Sequence, residues 1–99
     1  HGLRLKRKPN EESIRVPGII HYPRAIRSGR SEDALLSHVD LPATTLGLCG
    51  IRPPSQFQGR DLSATVRGRR AGTQPDVLCQ IFGPYRGDDT VAGWRGLRT

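Results

Sequence analysis

The residues able to do bond-making or metal chemistry in this sequence are few and widely spaced. His1, His21 and His38 are its three imidazoles. None stands at an HExxH-type spacing, so no zinc-type cluster is expected. His38 and Asp40 lie two positions apart, and on a helix such a pair diverges. Ser13, Ser55 and Ser63 lie outside any Gly-x-Ser-x-Gly turn, so no self-contained nucleophilic serine is expected. Cys49 and Cys79 are the two cysteines, with no CxxC pair between them. They predict neither a disulfide framework nor a zinc pair, but two reduced, partly buried thiols.

Charge is the more conspicuous feature. Sixteen Lys and Arg stand against nine Asp and Glu, a formal net charge of +7. Such a balance raises the expectation of anionic partners. The basic residues are mostly scattered arginines, with one cluster at Arg4, Lys6, Arg7 and Lys8 and a smaller one at Arg67, Arg69 and Arg70. Neither cluster is interleaved with aromatics, as a single-strand-binding surface would be. A solvated, arginine-rich surface is the favoured reading, and nucleic acid is not an expected partner.

Positioning any of these residues falls to short elements. A chain of 99 residues is within the size of one small domain, with a modest core, so no second domain is expected. Its 34% hydrophobic content is low, and Gly 12 with Pro 8 favours loops. No run approaches the roughly 18 apolar residues of a membrane span. The chain opens at His1-Gly2 and contains no Met, which reads as a cut end. Residues 11–13 suit one helical turn. Ile14 to Tyr22 reads as a strand, and its nearly continuous apolar run after Pro17 predicts burial on both faces. Residues 24–34 read as a surface loop. Ser37 to Leu48 reads as a helix, with Ser37 as cap, Pro42 in the first turn and Gly50 at the stop. Asp61 to Val66 reads as a short helix capped by Asp61. Residues 67–76 read as basic connecting chain. Val77 to Phe82 and Val91 to Thr99 read as two further strands, and no internal repeat is present.

The first seventeen residues, HGLRLKRKPNEESIRVP, resemble a segment of the sulfatase family. The family pattern runs His-Gly-Leu, two variable residues, Lys, three variable residues, the aromatic Tyr, then Glu-Glu-Ser-Ile-Arg-Val-Pro. His1, Gly2, Leu3, Lys6 and Glu11 through Pro17 match in register, and Asn10 stands where the family has its aromatic. The likeness continues through Pro17-Gly18-Ile19-Ile20-His21-Tyr22-Pro23 and through Ser37-His38-Val39-Asp40-Leu41-Pro42-Ala43-Thr44, where the proline is displaced by one position. Leu46 to Ile51, Gln58 to Leu62 and Trp94 to Thr99 also fit. Cys49 has Arg52, Pro53, Pro54 and Ser55 after it. That order departs from the Cys-x-Pro-Ser-Arg signature through which sulfatases make formylglycine, so Cys49 is not assigned as a nucleophile.

The resemblance implies an α/β fold: a partial slice of an alkaline-phosphatase-like α/β/α sandwich (strand, helix, short helix, two strands), incomplete on its own. It makes residues 1–99 the C-terminal portion of a sulfatase-like catalytic domain. The activity implied is sulfate ester hydrolysis by a formylglycine nucleophile with a divalent cation. Calcium is expected in the intact parent, and its ligands and the nucleophile are expected upstream, with none bound by this stretch alone. One active-site position maps here. Lys6 matches the lysine that contacts the sulfate and the leaving oxygen, where a fixed ammonium stabilises charge that develops on ester cleavage. His1 is a lesser substrate-side candidate at the rim. Arg15 is expected to be buried, with Asp40 or Glu12 as its carboxylate partner, and these three are assigned to structure. A phosphonate or phosphate ester hydrolase of the same superfamily would share the lysine and the cation, so it remains the nearest alternative. A small basic nucleic-acid-binding protein is the alternative from another class.

Overall fold

The computed structural model describes residues 8–27, 29–69, 76–83 and 93–99. Its elements in chain order are α1 (Glu11–Ile14), α2 (Asp40–Leu48), α3 (Ser63–Val66), β1 (Val77–Ile81) and β2 (Trp94–Arg98). The architecture is thus an α/β segment, with β1 and β2 paired in a two-stranded sheet. The chain divides into two compact units, one of His1–Ile19 with Leu78–Arg98 and one of Ile20–Val77 with Thr99.

The second unit is built on α2 packed against α3. Among the described residues Ala43 and Leu62 are its buried hydrophobic residues, and Asp40, Thr44, Ser63 and Thr65 are buried as well. So small an apolar core leaves much of the organisation to polar groups that must find partners when buried. Both helices end in the same way. Gly50, at φ +75°, follows α2, and its N–H donates to the Gly47 carbonyl at 3.1 Å while Ile51 N–H reaches Leu46 at 2.9 Å. Gly68, at φ +79°, follows α3, and its N–H donates to the Thr65 carbonyl at 2.8 Å while Arg69 N–H reaches Ala64 at 2.9 Å. Each is a Schellman stop, which needs a left-handed residue that glycine adopts without a Cβ penalty.

The starts differ from expectation. α2 begins at Asp40 instead of Ser37, and its cap position, Val39, makes no side-chain cap bond. Ser37 is not the capping side chain. The bond runs the other way, with Ser37 N–H donating to Asp40 Oδ2 at 2.8 Å. Pro42 sits in the first turn, where its missing N–H costs nothing. α3 begins at Ser63 instead of Asp61, with Leu62 at the cap position, and Asp61 sits one residue further out, where its carboxylate accepts the Ser63 N–H at 2.8 Å.

The first unit holds α1 and the sheet. β1 alternates half-buried Val77, Cys79 and Ile81 with exposed Leu78 and Gln80, the period of a strand covered on one side. In β2, Trp94 and Gly96 are half-buried and Arg95, Leu97 and Arg98 exposed. Arg95 lies 6.0 Å from the Phe82 ring centroid. Glu11 and Arg98 form an exposed ion pair.

One expected element is absent. Ile14 to Tyr22 does not form a strand buried on both faces. Ile14 ends α1, residues 15–22 are irregular, and Ile19 is 92% exposed. A strand exists only through hydrogen bonds to a neighbour, and β1 and β2 are the paired strands among the described residues. The apolar run therefore has strand composition with no described sheet to join.

Candidate functional site

Lys6 and His1, the residues matched to the sulfate side of the family's pocket, lie outside the described residues. Of the other assigned positions, Asp40 is the one that the fold encloses. It is 1% exposed, and its two carboxylate oxygens accept different backbone donors, Oδ2 from Ser37 N–H and Oδ1 from Arg60 N–H, both at 2.8 Å. The carboxylate thereby ties the entry of α2 to the chain leading into α3. Thr44, one helical turn on, adds a second tie. Its hydroxyl accepts the Leu62 N–H at 3.1 Å and donates to the Arg60 carbonyl at 3.3 Å. A third comes from Arg67, whose Nη2 donates to the carbonyls of Gly47 and Leu48 at 3.2 and 2.9 Å. Cationic donors at a helix C-terminus also complement its dipole.

Close approach makes these ties possible. A Cβ at Gly59 would overlap the Val39 carbonyl, and one at Gly47 would overlap the Asp61 carboxylate. Gly59 therefore requires the bare Cα, since it meets backbone, whereas a side chain at Gly47 would have to displace the Asp61 carboxylate.

The expected buried pair of Arg15 is not formed. Arg15 and Glu12 are both exposed, and no ion pair of Arg15 occurs among the described residues. The physical reason follows from the missing strand. With residues 15–22 irregular, nothing covers the Arg15 side chain, and a solvated guanidinium needs no carboxylate. Asp40 is satisfied by backbone N–H groups in place of the expected guanidinium. Cys49 is likewise exposed instead of partly buried, Cys79 is half-buried, and neither forms a disulfide.

Among the described residues no group of three or more His, Cys, Asp or Glu could hold a metal ion. No described helix is long and apolar enough to cross a membrane. The sequence reading missed one grouping, Arg27, Arg30 and Arg67 around a single cavity. They are distant in sequence, and no local spacing signals their convergence.

The family model described as "N-sulphoglucosamine sulphohydrolase, C-terminal" matches residues 1–99. The N-acetylglucosamine-6-O-sulfatase of Bacteroides thetaiotaomicron is 32% identical over 101 residues, covering 100% of this chain and 18% of that protein. The ulvan-active sulfatase of Formosa agariphila is 30% identical over 90 residues, covering 90% of this chain and 18% of that protein. The steryl-sulfatase of Homo sapiens is 32% identical over 77 residues, covering 76% of this chain and 13% of that protein. The chain therefore spans less than a fifth of the length of these relatives. No solved structure matches it.

Proposed function

This chain belongs to the C-terminal family of the N-sulphoglucosamine sulphohydrolases, and from that premise we propose that it is the C-terminal part of a sulfuric ester hydrolase and supplies Lys6 to the sulfate pocket. The observation that carries this reading is the family match from the first residue to the last, which includes the block His1 to Pro17. Within that block Lys6 keeps its register against Glu11 to Pro17.

The chemistry assigned to Lys6 is electrostatic. Cleavage of a sulfate ester moves negative charge onto the bridging oxygen and the sulfate oxygens. An ammonium fixed beside those atoms is worth more in the transition state than in the bound substrate, and that difference accelerates the step. His1 takes a secondary place on the substrate side. A formylglycine nucleophile and a divalent cation, expected to be calcium, belong to residues outside this stretch. In this reading the chain contributes a slice of a larger α/β/α sandwich. The buried ties at Asp40, Thr44 and Arg67 stiffen the helical part of that slice. They position the fold; none is assigned to the reaction.

The test is turnover by the whole protein that carries this sequence, with 4-nitrophenyl sulfate and N-acetylglucosamine 6-sulfate set against 4-nitrophenyl phosphate. Release of sulfate from either ester, in preference to phosphate release, is expected. Turnover of the phosphate ester alone would move the protein to the phosphonate and phosphate branch of the superfamily.

A further inference from the structure

Arg27, Arg30 and Arg67, with Ile26 and Gly68, line one open cavity of about 440 Å³. Two of its three guanidiniums are anchored from behind. Arg30 Nη2 donates to the Thr65 carbonyl and to the Glu32 carboxylate, both at 2.5 Å. Arg67 Nη2 donates to the Gly47 and Leu48 carbonyls at 3.2 and 2.9 Å. A guanidinium carries five N–H donors, and these bonds engage one terminal nitrogen of each arginine; Arg30 Nη1 packs on Gly68, which leaves Arg30 Nε and both Nη1 and Nε of Arg67 without a bonded acceptor among the described residues. Arg27 is exposed, with no acceptor among the described residues. Glu32 is the one carboxylate bonded to the group among the described residues, so positive charge on the cavity is uncompensated.

Gly68 is part of the same construction. A Cβ there would overlap Arg30 Nη1, so only glycine lets this guanidinium lie where it does. The same glycine ends α3 with its left-handed φ of +79°. One residue thus sets both the helix stop and the room for Arg30.

We propose that this cleft is a binding site for a sulfate oxyanion, taken either as the free ion or as the sulfate group of an ester. Planar guanidinium forks match the oxygen spacing of such a group and bind it through paired N–H donors. Anchoring Arg30 and Arg67 beforehand removes most of the side-chain entropy that capture would otherwise cost. A merely solvated arginine surface would leave all three side chains extended into water, whereas two of these converge on one cavity through backbone carbonyls. The site does not involve Lys6 and goes beyond the reading given above.

The experiment is a titration of the whole 15N-labelled protein that carries this sequence with inorganic sulfate at constant ionic strength, followed by amide and arginine Nε–H chemical shifts. N-acetylglucosamine 6-sulfate and glucuronate form parallel arms. Saturable shifts centred on Gly29, Gly68 and the three arginine side chains are expected. Arg27→Gln should weaken sulfate at least about five-fold, because one of three forks is lost. Arg52→Gln, an equal charge change on an exposed loop, should alter it less than about 1.5-fold. Gly68→Ala, which displaces Arg30 without removing a charge, should also weaken binding. Tighter capture of the sulfated sugar than of sulfate assigns the source to an ester, and equal capture assigns it to the free ion. Shifts that do not saturate, an equal loss in Arg52→Gln, or glucuronate bound as tightly as both sulfates would overturn the proposal.

Discussion

Replacing Asp40 with Asn isolates what the buried carboxylate contributes, because the side chain keeps its shape. In the native arrangement two backbone N–H groups, of Ser37 and Arg60, each donate to one carboxylate oxygen at 2.8 Å. The amide can accept one of them through its remaining oxygen, and its NH2 faces the other donor. One hydrogen bond to a charged acceptor is lost, worth about 1.5–3 kcal/mol, and the second becomes a neutral bond, losing about 1 kcal/mol more. Against this, the variant no longer buries a charge at a 1% exposed site, which returns part of the cost. The net expectation is about 2 kcal/mol. With a urea slope of about 1 kcal/mol/M for a chain of this size, the unfolding midpoint should fall by about 2 M. Amide exchange at Ser37 and Arg60 should quicken by about 30-fold, the equivalent of that free energy. A midpoint within about 0.3 M of the parent, or exchange unchanged at both amides, would refute the assignment of Asp40 as the tie between α2 and the segment before α3.

Other consequences are sharper in sign than in size. Gly59→Ala should destabilise by about 1–3 kcal/mol in the same denaturation assay, since the new methyl meets the Val39 backbone carbonyl and not a side chain that can swing away. Thr65 Oγ1 is buried with no hydrogen-bond partner among the described residues. Thr65→Val should therefore be neutral or stabilising by up to about 1 kcal/mol, and a loss of more than that would reveal an acceptor for the hydroxyl.

The helical part of the fold was legible because its stop signals are local. Gly50 stops α2 because, with no Cβ, it takes the left-handed φ at no steric cost, and α3 ends at Val66 as expected but starts at Ser63, two residues after the expected cap Asp61. The start of α2 was read three residues early because Ser37 has the composition of a cap, whereas the aspartate inside the helix takes the bond. The run Ile14 to Tyr22 was misread for a different reason. β-branched composition describes what a strand would bury, while pairing depends on a neighbour that composition cannot supply. Arg15 went wrong with it, since burial was inferred from that strand. Lys6 is assigned only through its register against Glu11 to Pro17 and lies outside the described residues. The arginine cleft is not legible at all, because convergence of Arg27, Arg30 and Arg67 is a tertiary fact.

The most direct test is Lys6→Ala in the whole protein, assayed for sulfate ester turnover beside a thermal melt. The account predicts that kcat/KM falls by about 10²–10³-fold, the usual effect of removing one fixed donor to a developing oxyanion, while the melting temperature stays within about 2 °C of the parent. Turnover that survives the substitution undiminished would contradict the placement of this lysine in the sulfate pocket.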